Sequence, residues 1–133
     1  MPVRSLSSST LKWPDHKTVT TAVQKWALSE MKRHSKVLKL GYFGSYARKD
    51  WGVGSDLDLV AIVQDSKLPF ERRAVAWDLD QLPVPAEICI YTLAEWQDLS
   101  QKGSRFIRTL QKEVVWIVDM ESYDQQDLTT EGS

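Results

Sequence analysis

The sequence holds a single cysteine, Cys89, among 133 residues. One thiol excludes an internal disulfide and any cysteine-based zinc cluster, and inside an apolar run it reads as an inert core thiol. Histidine is nearly as scarce, with only His16 and His34. Neither stands in a motif: His34 reads as solvated or as facing a helix dipole, and His16 has no partner nearby in sequence. An excess of one charge is missing too. Seventeen Lys and Arg against eighteen Asp and Glu leave a net charge of −1, which removes any global electrostatic case for nucleic acid or an anionic membrane. No segment approaches the length of a membrane span and the N-terminus has no apolar h-region, so a cytoplasmic location is expected. There is no internal repeat and no linker that would separate domains. What remains is a chain with 42% hydrophobic and 26% charged residues, the make-up of one ordinary globular domain with a real core.

Read in order, residues 1–12 hold Ser7-Ser8-Ser9-Thr10 and little to bury, so they are expected to form a loose arm, with a domain over residues 13–119 and a polar, frayed tail over 120–133. Trp13-Pro14-Asp15 opens a helix whose apolar stripe is Val19, Ala22, Val23, Trp26, Ala27 and Met31, with Lys25, Lys32 and Arg33 largely off it. Residues 37–43 read as a strand, 49–55 as a glycine-containing loop, and 57–63 as a strand covered on both faces. Pro69 suits the first turn of a helix. Phe70, Ala74, Trp77 and Gln81 lie along one side of it, with Val75, Leu79 and Leu82 as a neighbouring stripe that packs on the sheet. Pro83 and Pro85 end it before a strand over 86–91. Thr92-x-x-Glu95 matches a capping box and starts a helix with Leu93, Trp96 and Leu99. Gly103-Ser104 opens another with Phe106, Ile107 and Leu110 inward, and a last strand covers 114–118. Strands alternating with helices predict an α/β layer arrangement. The stretch between Ser45 and Asp56 is too short for a parallel crossover, so the central sheet should be mixed.

Within this frame one stretch carries chemistry. Gly44-Ser45 follows an apolar strand, ten residues intervene, and Asp56-Leu57-Asp58 opens the next. Free backbone N–H groups where Ser45 begins a short helix favour an anion, and a glycine lets a phosphate come close to the backbone. Asp56 and Asp58, two apart on a strand, project from one face and suit Mg²⁺, which takes oxygen ligands and completes its shell with water and phosphates. Either half alone is weak, since Gly-Ser is an ordinary turn pair and Asp-x-Asp an ordinary strand opening or Asx-turn. Their coincidence at this spacing is what points to nucleotide chemistry. Glu87, alone in its apolar strand, calls for a partner: a metal, or a buried Arg or Lys.

Gly44-Ser45, ten residues, Asp56-x-Asp58, together with Ala47-Arg48 and Ser55-Asp56-Leu57-Asp58-Leu59, resembles the signature of the minimal nucleotidyltransferases, small members of the DNA polymerase beta-like superfamily. The resemblance extends from about Val19 to Val118 and implies an α/β nucleotidyltransferase fold, with a mixed central sheet flanked by helices. It implies a metal-dependent enzyme that moves a nucleoside monophosphate, AMP from ATP, to a hydroxyl acceptor. Asp56, Asp58 and Glu87 would bind Mg²⁺ or Mn²⁺. Gly44, Ser45, Tyr46, Arg48 and Lys49 would hold the nucleotide. Glu87 stands where the family more usually has Asp, and Lys49 where it commonly has Gly. By the same resemblance the partner is a helical HEPN-domain protein, a toxin RNase that this chain neutralises as antitoxin, or a second copy in a homodimer. Two alternatives stand beside it: a binding module that neutralises a partner with weak or no catalysis, and a small-molecule nucleotidyltransferase. Trp51 and Tyr46 are the aromatics considered for a base. Lys102, Arg105, Arg108 and Lys112 recur every three or four residues and would line one helical side, a solvated face or a surface for an acidic partner.

Overall fold

The computed structural model describes residues 14–49 and 55–120. Helix α1 (His16–Arg33) is capped by Asp15, whose carboxylate accepts the Thr18 N–H at 2.7 Å. Lys32 and Arg33 occupy its last turn, where cations suit the negative end of the helix dipole. Val19, Val23, Trp26 and Ala27 are buried along one stripe, as their spacing requires. Glu30 joins that stripe at 1% exposure, its carboxylate accepting from Arg33 Nη1 at 2.7 Å and from the Asp78 N–H at 2.9 Å. A buried carboxylate persists only with such partners.

The sheet contains β1 (Val37–Phe43), β2 (Leu57–Val63), β3 (Ala86–Thr92) and β4 (Val115–Asp119) in the order β3-β2-β1-β4. β1 runs antiparallel to β2 and β4, while β2 and β3 are parallel, so the sheet is mixed. The central strand β2 is covered on both faces. Leu57, Leu59 and Ala61 meet α1 and its neighbours on one side. Val60 and Ile62 meet Trp96, Ile107 and Leu110 of α3 (Leu93–Lys102) and α4 (Arg105–Glu113) on the other. Burial of each such aliphatic side chain contributes about 2 kcal/mol, which makes β2 the rigid floor of the domain. Only Asp58 interrupts its run of buried residues. A four-residue helix, α2 (Ser45–Arg48), follows β1 directly.

Three expectations change. No α-helix follows Pro69. Two 3-10 segments, Phe70–Ala76 and Leu79–Gln81, connect β2 to β3 instead. The reason is Arg73, 8% exposed, which reaches back to the Leu68 carbonyl at 2.9 Å and inward to the Ile90 carbonyl at 3.0 Å and Glu95 at 2.6 Å. These bonds fix a tight three-residue turn, leave Val75 at 84% exposure, and bring Trp77 into the core in place of a continuous stripe. Phe106 does not face inward: it is 52% exposed, edge-on to Phe43. The cationic residues do not share one helical side. Gly103, in the left-handed region, ends α3 after Lys102, which pairs with Asp98, while Arg105, Arg108 and Lys112 belong to α4.

The two histidines find partners far along the chain. His34, which caps α1, stacks on Trp77 at 4.2 Å and lies beside buried Glu30, neither solvated nor simply dipole-facing. Burial lowers the tendency of its ring to take a proton. Among the described residues no helix is long and apolar enough to cross a membrane. The expected arm over 1–12, the loop residue Trp51 and the tail beyond Met120 lie outside the described residues.

Candidate active site

Where β1 ends, Gly44 turns the chain at φ 77°, ψ −150°, a conformation that side-chain-bearing residues rarely adopt. A Cβ placed on Gly44 would run into the Asp58 carboxylate, so only glycine lets the turn close over that acid. Phe43 pairs with Asp58 across the antiparallel β1–β2 ladder, which brings the turn to the Asp58 edge. Ser45 opens α2 directly above. Gly44 and Ser45, eleven or more residues from the acids in sequence, thus meet Asp58 at one sheet edge.

Glu87 arrives by the parallel β2–β3 pairing, in direct register with Asp58. Residues paired across neighbouring strands, about 5 Å apart, project from the same face. Asp56 precedes β2 and is exposed. The acids sense one another. Burial lifts the Asp58 carboxyl above its ordinary value, the charges of Glu87, Asp56 and Glu113 lift it further, and Arg48 pulls against them. Cys89, next on the same face, is raised by burial and then by Asp58 and Glu87, in keeping with an unreactive thiol. The expectation of a buried charge at Glu87 is corrected. β3 is an edge strand and Glu87 is exposed, so water reaches its carboxylate and no internal cation is needed.

Three carboxylates at one edge, mutually repelling, are a donor set that a divalent cation suits in kind. Among the described residues no three His, Cys, Asp or Glu side chains are already drawn together tightly enough to hold a metal. Asp56, Asp58 and Glu87 thus suit a divalent cation by the chemistry of their oxygens, not by a pre-formed cluster.

Tyr46 is wholly buried. Its ring stacks on His16 at 6.2 Å and its carbonyl accepts from His16 Nε2 at 2.8 Å. The ring therefore cannot meet a base, and what Tyr46 can offer a ligand is backbone. Lys49 is exposed and left-handed, at φ 66°.

One residue of the site escaped the sequence reading. Glu113, last in α4, accepts from the Gly44 N–H at 3.2 Å and from Arg48 Nη1 at 3.2 and 3.3 Å. Phe43, Gly44, Ser45, Arg48, Asp58, Phe106, Thr109, Leu110 and Glu113 line one cavity of about 300 Å³. The available signal was an acidic residue in the last turn of a helix, where the dipole disfavours it.

Comparison with known proteins bears on this edge. A family profile described as a nucleotidyltransferase domain matches residues 25–118, most of the chain and all of the candidate site. Among solved structures, a proposed nucleotidyltransferase from Sulfolobus solfataricus superposes with a TM-score of 0.55. Its sequence is 15% identical, and the match covers 76% of this chain and 80% of that one. At such identity the likeness shows the fold alone. A toxin-antitoxin structure with AMP-PNP is 13% identical over 77% of this chain and 78% of that one, with a TM-score of 0.45, too distant to carry an argument. No curated protein matches the sequence.

Proposed function

This chain belongs to the nucleotidyltransferase domain family, and on that footing we propose that it moves a nucleoside monophosphate, AMP from ATP, to a hydroxyl on a partner macromolecule. The observation that carries the reading is the meeting of Gly44-Ser45 with Asp58, and of Asp58 with Glu87, at one sheet edge.

In this reading the Gly44 N–H, the Ser45 hydroxyl and Arg48 hold the β- and γ-phosphates, with the Tyr46 N–H and Lys49 beside them. Arg48 suits the task because its guanidinium offers a fork of donors to phosphate oxygens. Asp56, Asp58 and Glu87 would hold Mg²⁺, or Mn²⁺, which when bound offsets the charge that builds on the phosphate oxygens and the departing pyrophosphate. The acceptor oxygen forms a bond to the α-phosphorus, the bond from that phosphorus to the bridging oxygen breaks, and pyrophosphate leaves. Glu87, exposed and beside Asp58, takes the acceptor proton directly or through one water. The rigid β2 floor keeps the Asp58 carboxylate in place, which a loop could not.

The partner proposed is a helical HEPN-domain protein, with this chain as its antitoxin. A homodimer is the other arrangement proposed. Co-expression with the neighbouring gene product, followed by mass spectrometry, tests the proposal. We expect an adenylate adduct on a partner hydroxyl, absent with Asp56→Asn or Asp58→Asn while those variants stay folded. Full modification by both variants would remove the mechanism. A second reading, a module that neutralises its partner by binding alone, is favoured by Glu113, which occupies the Gly44 N–H and Arg48. A neutralised partner with no adduct would select it.

A further inference from the structure

Glu113 sits on two of the donors that the proposed function assigns to phosphate. Its carboxylate lies against the Gly44 N–H and the Arg48 guanidinium, with its side chain 19% exposed, and it forms one wall of the cavity that also holds Ser45 and Asp58. An anion resting on those donors already makes the charge-assisted bonds that a phosphate oxygen would make. As the last residue of α4, Glu113 meets the negative end of that helix dipole, and as a neighbour of Asp58 it adds repulsion to an already acidic edge. Among the described residues, the Arg48 guanidinium and the Gly44 N–H are the groups that offset this, so the side chain gains from staying on them.

We propose that Glu113 is an internal stand-in for substrate: a carboxylate that holds the anion cradle in the nucleotide-free chain and must be displaced by an incoming triphosphate. This rests on the nucleotide reading of the same site and adds a specificity-determining residue to it. Glu113 sets a threshold. A single weak anion competes poorly with a tethered carboxylate, whereas a triphosphate brings several oxygens at once. Once displaced, Glu113 stands at the cavity wall and continues to repel anions that arrive without a cation. The residue is therefore a positioning and selecting group and touches no reacting atom.

The test is calorimetric titration of ATP, and separately of inorganic tripolyphosphate, each with magnesium, into the full chain and into Glu113→Gln. The glutamine keeps the shape and removes the charge. We expect Glu113→Gln to bind both at least tenfold more tightly, and Arg48→Gln to bind both at least tenfold more weakly. A structural brace would behave the other way, with Glu113→Gln melting earlier and binding no better. Glu113→Asp, which keeps the charge but falls short of the Gly44 N–H, should also gain affinity, and it carries the test if the glutamine variant does not fold. Binding to the wild-type chain that Glu113→Gln or Glu113→Asp leaves unchanged or weakens overturns the stand-in alone. No binding of either ligand to any of these proteins at millimolar concentration overturns the nucleotide reading and the stand-in with it.

Discussion

Lys49 follows α2 in the left-handed region, at φ 66° and ψ 24°, its N–H closing the turn on the Ser45 carbonyl. Glycine is the residue that adopts this conformation without a Cβ clash. That is a physical reason for the glycine common at this position in the family that the motif resembles. A lysine there costs about 1 kcal/mol. Lys49→Gly is therefore expected to raise the stability by about that amount, read as a higher midpoint in urea. An unchanged or lower midpoint would show that the side chain contributes more to the free fold than its exposed position allows. The same residue-by-residue view explains what could be read in advance. Gly44, Ser45, Asp56 and Asp58 were legible as candidates because they lie together in one short stretch of sequence. Glu113 was not, because its contact with Gly44 crosses 69 residues and depends on how α4 is docked.

At the scale of elements, local chemistry again separates what was legible from what was not. Thr92 and Glu95 cap α3 reciprocally, with the Thr92 N–H to Glu95 at 2.9 Å and the Glu95 N–H to Thr92 at 3.1 Å, as four consecutive residues announce. The connection over 69–82 defeated the helical pattern because Arg73 binds groups on β3 and α3, and those lie outside any local window. The same guanidinium holds Glu95 through two bonds, and its hydrogen bond is the first cause that lowers the Glu95 carboxyl below its ordinary value near 4.5. A carboxyl lowered in the folded chain adds stability that is fully present above its unfolded value and fades as pH falls through the folded one. Arg73→Met should cost about 2 kcal/mol at neutral pH, less than a fully buried pair because Glu95 is 42% exposed and screened by water. It should also make the loss of stability below pH ~4.5 shallower than in the wild type. Thermal melts across pH 3 to ~7 decide this, and parallel acid limbs for the two proteins would sever Arg73 from Glu95 energetically.

For the whole molecule, the sheet is what turns scattered residues into one edge. β1 delivers the Gly44 turn, β2 delivers Asp58, and β3 delivers Glu87 in register beside it. Cores on both faces of β2 hold that edge still. The alternation of strands and helices made this layering readable from the sequence, and the short link after Ser45 made the mixed sheet readable too. The partly open cavity beside Phe106 was not readable, since it exists only between α4 and the end of β1. Glu87 and Asp56 place negative charge beside Asp58, and in the proposed function a cation offsets that charge before an anionic substrate settles there. The affinity of the wild-type chain for ATP, measured by titration with excess magnesium and again with a chelator in its place, probes this dependence without knowledge of the acceptor. Binding should be at least tenfold tighter with the metal. Equal or tighter binding in the chelator would contradict a carboxylate edge that works through divalent cations.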